Sequence, residues 1–255
     1  MIDSKKQGHV NTSIVNGVAT IEFYHPLSNA LPGAILKKLA ETISEMGNQK
    51  DVSLMVLKSA GDKTFCAGAS FDELIRISSP EEGKTFFNGF AQVINAVRVC
   101  PKIIIGRVQG KAVGGGVGIA ASCDYCFATK NADVKLSELS IGMGPFVIGP
   151  VIERKIGLAN TSYLTLNSSK WKTAEWAKET GLYAEVYDEV SQMDEAIESL
   201  ATKLSKSNPE ALSALKKTFW EGTEHWEELL SKRSEISGAL VLSKYTQEAL
   251  KNFKK

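Results

Sequence analysis

The chain lacks the features that would mark it as a metalloprotein, a disulfide-rich secreted protein or a membrane protein. Its 255 residues include only four cysteines and three histidines, and no run of about 18 apolar residues occurs. Neither sign of charge is in excess, because 30 lysines and arginines stand against 29 aspartates and glutamates. Such a balance gives no electrostatic reason to bind nucleic acid or an anionic membrane. We therefore expect a small-molecule partner, with no nucleic acid and no membrane.

The cysteines allow two interpretations. Cys123 and Cys126 form a C-x-x-C pair, but no second pair of cysteines or histidines completes a zinc site. A redox dithiol and a pair of buried reduced thiols stay open, and the apolar surroundings favour the second. The first ten residues, MIDSKKQGHV, lack the apolar core of a signal peptide. We expect a soluble, cytoplasmic protein.

Strands are predicted early in the chain and helices late. Asn16-Gly17 between β-branched runs predicts a hairpin. Further strands are predicted for VSLMVLK, KIIIGRV, DYCFAT and ADVKLSE. Apolar residues at helical spacing predict a helix from about Pro32 to Met46, and Ser79-Pro80 with Glu82 marks another helix start.

From Val147 onward the pattern is mostly helical, with a long helix predicted from about Thr223 to Phe253. Strands that alternate with helices indicate an α/β fold. We predict a core over residues 1–200 and a helical C-terminal region over residues 201–255.

A glycine-rich stretch, GKAVGGGVGIAASCDY, follows the strand KIIIGRV. It fits a dinucleotide fingerprint at Gly116, Gly118 and Ala121, with Glu138 placed to bind a ribose. Only a few residues separate Ala121 from the next strand, too few for the crossover helix that this fingerprint requires. An NAD-dependent enzyme is therefore the weaker interpretation.

The other interpretation is a site for a carbonyl oxygen. A turn made of Gly114, Gly115 and Gly116 exposes backbone N–H groups at a helix N-terminus, where positive partial charge stabilises an oxyanion. The segment FCAGAS, from Phe65 to Ser70, supplies a second turn of small residues at the end of an earlier strand. Two such turns could direct two N–H groups at one oxygen.

At this point the sequence resembles the crotonase, or enoyl-CoA hydratase/isomerase, superfamily. The segments that carry the resemblance are HPLSNAL, KTFCAGASFDEL, VQGKAVGGGVGIAASCDY, LSELSIGMGP and TAEWAKETGL. The resemblance implies a crotonase-type spiral of ββα turns and C-terminal helices that drive assembly into a homotrimer or a hexamer, a dimer of trimers. It also implies an acyl-CoA thioester substrate, with coenzyme A as part of the substrate and no separate cofactor or metal.

The same resemblance assigns roles to individual residues. The oxyanion hole would be the N–H groups of Ala69 and Gly115, and the acid/base would be Glu138. Ser70 stands at the position where family members usually carry aspartate. We expect seven residues to contact the substrate: Ala67, Ser70, Phe71, Asp72, Phe90, Gly114 and Pro145.

One departure from the family pattern decides the predicted reaction. Hydratases of the family use two glutamates, and the first of these positions is Gly118 here, whereas the second is Glu138. A single carboxylate suits a proton shuttle that converts a 3-enoyl-CoA to the 2-enoyl isomer. Alternatives that stay open are hydration by Glu138 alone, decarboxylation of a CoA-linked acid, and a catalytically silent acyl-CoA-binding scaffold.

Overall fold

The structure, a computed structural model, describes residues 8–253. A six-stranded sheet in the order β1-β2-β3-β5-β7-β9 forms its centre, and a three-stranded sheet has the order β4-β6-β8. The strands are β1 (His9–Val15), β2 (Val18–Tyr24), β3 (Leu54–Ser59), β4 (Thr64–Cys66), β5 (Ile103–Val108), β6 (Lys111–Val113), β7 (Tyr125–Thr129), β8 (Val134–Lys135) and β9 (Glu185–Tyr187). Among the pairings of these strands, only β1–β2 is antiparallel.

Helices cover the sheets and make up most of the second half of the chain. They are α1 (Gly33–Asn48), α2 (Phe71–Leu74), α3 (Pro80–Val99), α4 (Gly115–Ser122), α5 (Gly149–Leu166), α6 (Ala174–Glu179), α7 (Val190–Ser205), α8 (Pro209–Phe219), α9 (Trp226–Leu240) and α10 (Lys244–Phe253). A 3-10 helix spans Glu138–Ile141. The predicted α/β class is confirmed, and no helix among residues 8–253 is long and apolar enough to cross a membrane.

Local sequence signals explain the first elements. Asn16 and Gly17 have φ angles of 50° and 77°, and they close the predicted hairpin. The hydroxyl of Ser79 accepts a hydrogen bond from the N–H of Glu82, and Pro80 occupies the first turn of α3. Both sequence predictions are confirmed.

The short strands bring three loops to one edge. Each strand of the small sheet follows a strand of the large one, in the order β3-β4, β5-β6 and β7-β8. Because β4, β6 and β8 are parallel, their carboxyl ends lie at the same edge. The loop from Ala67 to Ser70, the glycine turn at Gly114 and the 3-10 helix that begins at Glu138 therefore meet there.

The prediction of one long C-terminal helix is wrong. The chain forms α9 and α10 instead, separated by a turn over residues 241–243. The hydroxyl of Ser243 accepts a hydrogen bond from the N–H of Thr246 and so starts a new helix. The Thr246 hydroxyl also donates to the carbonyl of Gly142, 3.3 Å away, which turns α10 toward the 3-10 helix. Helical periodicity continues across this break and therefore conceals it.

Helix α9 packs closely against α3. At their crossing, a Cβ atom on Gly83 would lie 2.7 Å from the Cα of Gly238, so neither position has room for a side chain. Side chains of the C-terminal region, including Trp226, Leu230 and Val241, belong to the same hydrophobic core as the sheets. The boundary at residue 200 remains a prediction.

A buried ion pair fastens α8 to the sheet. The ammonium of Lys216 lies 2.7 Å from Oδ2 of Asp124, and the two side chains are 1% and 3% exposed. Asp124 also accepts hydrogen bonds from the N–H of Ile104 and the indole N–H of Trp220. The carboxylate therefore satisfies backbone and side-chain donors at once.

Candidate active site

The two small-residue turns lie side by side. Gly68 has φ of 86°, and a Cβ atom there would come within 2.8 Å of the Val113 carbonyl and 3.3 Å of the Gly115 nitrogen. The N–H groups of Ala69 and Gly115 donate to no backbone carbonyl in the described part of the chain. Both residues line one cavity. This arrangement offers two unused donors, as an oxyanion hole requires.

Two glycines of the run GGG are fixed by close contacts. Gly114 has φ of 51°, and a Cβ atom there would lie 2.7 Å from Oε1 of Glu138. A Cβ atom on Gly115 would lie 2.2 Å from the ring of Phe90. Because neither position can accept a side chain, the backbone comes directly against the carboxylate and the aromatic ring.

Glu138 brings its carboxylate to this cavity from the first residue of the 3-10 helix. The residue as a whole is half-buried, but its Oε2 atom is shielded from solvent and has no hydrogen-bond partner among the described residues. Burial raises the pKa of the carboxyl to about 7. A carboxyl with a pKa near neutrality can both accept and return a proton at physiological pH.

Replacement of Glu138 by glutamine should make the protein more stable at alkaline pH. The pKa of the Glu138 carboxyl is about 7 in the folded protein against 4.5 for the ordinary group. Between these two pH values the carboxyl is protonated in the folded state and ionised in the unfolded state. The contribution of this group to the free energy of unfolding therefore falls as pH rises from about 4.5 to about 7. The loss amounts to roughly 3 kcal/mol, at 1.36 kcal/mol for each pKa unit.

Glutamine does not titrate, so the Glu138→Gln variant should escape this loss. Denaturation at pH 5 should give similar free energies of unfolding for the two proteins, whereas at pH 8 the variant should be the more stable. Parallel pH profiles of the two free energies would contradict the raised pKa.

The cavity is small and mostly apolar. It has a volume of about 60 Å³. Its wall includes aromatic and aliphatic side chains from α2, α3, the 3-10 helix and the segment after it: Phe71, Leu74, Phe87, Phe90, Ile141, Met143, Pro145, Phe146, Val147 and Ile148. Glu138 is the one ionisable side chain in that wall within the described residues. Such a pocket suits an apolar ligand beside a single acid/base.

The structure brings most of the predicted site residues together. The members that line the cavity are Ala67, Ala69, Phe71, Phe90, Gly114, Gly115, Glu138 and Pro145. Ser70 and Asp72 lie outside its wall. Ser70 instead begins α2, where its hydroxyl accepts a hydrogen bond from the N–H of Glu73.

Sequence reasoning missed several residues of the wall, and Ile148 and Ser237 are the two that bear most on function. Ser237 lies on α9, far along the chain from the glycine turns, and no motif surrounds it. Ile148 lies in the segment IGMGPFVIG, so proximity to Pro145 was the available signal.

Ile148 bears on the missing glutamate. A Cβ atom on Gly118 would lie 2.5 Å from Cγ2 of Ile148, and both residues are buried. The side of α4 on which a longer residue would project is therefore occupied by an isoleucine. No second carboxylate enters the cavity from this helix.

The two weaker interpretations of the sequence find no support. The carboxylate of Glu138 lies against Gly114 in the wall of an apolar cavity, and the helix α4 after the glycine turn is only eight residues long, too short for the crossover helix of a dinucleotide fold. Cys123 and Cys126 are buried free thiols, and burial raises the pKa of Cys123 to about 12. A protonated, buried thiol is a poor nucleophile.

Comparison with known proteins decides the family. The model of the enoyl-CoA hydratase/isomerase family matches residues 13–254. The chain belongs to the enoyl-CoA hydratase/isomerase family. This finding confirms the resemblance predicted from the sequence, and it makes the protein an acyl-CoA enzyme of that family.

Relatives within the enoyl-CoA hydratase/isomerase family differ in activity. A short-chain-enoyl-CoA hydratase of Clostridium acetobutylicum is 30% identical over 209 residues, which cover 81% of this chain and 79% of the relative. A peroxisomal Delta(3,5)-Delta(2,4)-dienoyl-CoA isomerase of Arabidopsis thaliana is 26% identical over 211 residues, which cover 77% of this chain and 74% of the relative. The activities named for these relatives therefore do not decide whether this protein catalyses hydration or isomerisation.

A solved member shows the same fold. The crystal structure of an enoyl-CoA hydratase from Bacillus halodurans superimposes with a TM-score of 0.88 at 23% identity, and the match covers 95% of this chain and 99% of that one.

Proposed function

We propose that this protein is an enoyl-CoA isomerase that converts a 3-enoyl-CoA to its 2-enoyl isomer, with Glu138 as the single acid/base. One observation carries the proposal: Glu138 is the one ionisable side chain in the described wall of the cavity that also contains Ala69 and Gly115. The contact between Gly118 and Ile148 adds support, because it leaves no room for a second carboxylate on α4.

The reaction needs one proton to be moved between two carbons. The ionised Glu138 removes a proton from C2 of the thioester, and the charge spreads onto the thioester oxygen as a dienolate. The N–H groups of Ala69 and Gly115 are the donors that would stabilise this oxygen, and each such donor contributes roughly 3 kcal/mol in a dry site. Protonated Glu138 then returns the proton at C4, and the double bond moves into conjugation. No separate cofactor is required, since coenzyme A is part of the substrate.

The test is incubation of the purified protein with 3-enoyl-CoA and 2-enoyl-CoA thioesters in heavy water, followed by mass spectrometry. We expect the 3-enoyl compound to become the 2-enoyl isomer with uptake of deuterium. The rate should rise with pH through about 7, because only the ionised carboxylate is a base. Addition of water to the 2-enoyl compound at a comparable rate would instead make the protein a hydratase that works with Glu138 alone. Binding without turnover would favour a silent scaffold.

We also propose that the protein assembles into a homotrimer or a hexamer of two trimers. Helix α5 exposes large apolar side chains, among them Leu158 and Leu166, which are 64% and 71% exposed. Such a surface favours contact with another copy of the chain. Sedimentation should give three or six times the 27.6 kDa mass of one chain. Leu158→Lys with Leu166→Lys should lower that mass, and a wild-type monomer at micromolar concentration would contradict the proposal.

A further inference from the structure

Two serines in the cavity wall, Ser137 and Ser237, have no role in the proposed proton transfer, and Ser237 is the more deeply buried of the two. Ser237 on α9 is 2% exposed and lines the cavity. Its hydroxyl makes no hydrogen bond within the described residues, and its oxygen is not one of the fully buried atoms without a partner, which are Nδ1 of His25 and Oε2 of Glu138. The oxygen of this otherwise buried residue therefore stays in contact with the cavity space, where a ligand can reach it.

A second buried serine on the same helix forms the hydrogen bond to the helix backbone that the Ser237 hydroxyl lacks. Ser234 lies three residues earlier and is fully buried. Its hydroxyl donates to the Leu230 carbonyl, 2.8 Å away, and it does not line the cavity. The Ser237 hydroxyl lacks such a bond and faces open space within an apolar pocket.

The position of Ser237 is held by the helix crossing next to it. Gly238 packs against Gly83, and a Cβ atom on Gly238 would lie 2.5 Å from the nitrogen of Lys84. Because neither glycine can accept a side chain there, α9 stays close to α3 and holds the adjacent serine at the cavity wall. The hydroxyl is thereby available to a ligand in the cavity.

We propose that Ser237 recognises a neutral oxygen atom, a hydroxyl or a carbonyl, on the part of the acyl group away from the thioester. The inference rests on the proposed use of the cavity as an acyl site. A carboxylate is excluded as the recognised group, because no lysine or arginine is among the described lining residues to offset its buried charge. The hydroxyl of serine can donate to such an oxygen and also accept from a substrate hydroxyl.

The test compares two unreactive thioesters of equal length, 5-hydroxypentanoyl-CoA and hexanoyl-CoA, by calorimetry on the full-length protein. The two differ by a hydroxyl in place of a methyl group, and neither has a double bond. We expect the wild-type protein to bind the hydroxyl compound about tenfold more tightly, and Ser237→Ala to lose that preference. Ser237→Cys, which keeps the size but donates weakly, should also lose it.

Ser234→Ala is the matched control and should keep the preference of the wild-type protein. Equal affinity of the wild-type protein for both thioesters, or the same ratio in Ser237→Ala, would overturn the inference. Failure to bind either thioester would overturn it as well. Since the assay involves no turnover, the inference can fail while isomerisation holds, and it can hold while isomerisation fails.

Discussion

Replacement of Glu138 by glutamine should lower kcat for 3-enoyl-CoA isomerisation by a factor of about 10³ to 10⁴, with little change in KM. Glutamine has nearly the same shape as glutamate, so the cavity and the backbone donors should persist. It can neither accept nor return a proton, and the described cavity wall holds no other ionisable side chain to replace it. The measurement is steady-state kinetics of wild type and Glu138→Gln with the same 3-enoyl-CoA.

Glu198→Gln is a suitable control, because Glu198 is exposed on α7 and away from the cavity. It should leave kcat unchanged. A Glu138→Gln enzyme with activity within tenfold of wild type would show that another group moves the proton.

Lys216→Met should strongly destabilise the folded protein. It removes the cation from a buried pair and leaves the carboxylate of Asp124, whose side chain is 3% exposed, without that partner. Breaking a buried pair in this way costs about 3–5 kcal/mol. For a chain of this size the melting temperature should fall by about 10 °C, measured by thermal denaturation.

Lys217→Met provides the comparison, since Lys217 is the exposed neighbour on the same helix. Its melting temperature should stay close to that of wild type. The double variant Asp124→Asn with Lys216→Met removes both charges, and it should recover much of the loss. If Lys216→Met melts within about 1 °C of Lys217→Met, the ion pair makes no net contribution to stability.

Short-range signals made the first half of the fold predictable. The turn at Asn16-Gly17 and the cap at Ser79 are decided by neighbours within four residues, and both predictions are confirmed. The break at Ser243 escaped prediction, although its cap is also local, because apolar residues continue at helical spacing on both sides. The spacing of apolar residues indicates which face of a helix is buried, but it does not indicate where one helix ends and the next begins in a new direction.

The candidate active site also has parts that the sequence predicts and parts that it does not. The glycine turns and Glu138 lie in segments with recognisable spacing, and the structure places them around one cavity. Ser237 and the contact between Gly118 and Ile148 depend on packing between distant elements. No pattern within a single segment contains that information. The buried pair of Asp124 and Lys216 is of the same kind, since lysine on a helix ordinarily indicates an exposed face.

The wall contributed by α9 affects when the site can exist during synthesis. Ala69 and Ser237 are 168 positions apart in the chain, counted from 69 to 237. At about 5–20 residues per second, a ribosome needs on the order of ten seconds or more to reach the second after the first. For the last 99 positions of that interval, from Glu138 to Ser237, the nascent chain has its glycine turns and Glu138 but no closing helix, so its apolar pocket lies open. A chaperone that binds this apolar surface can act during this interval. Chains truncated before α9 should continue to require such a chaperone, because their pocket stays open.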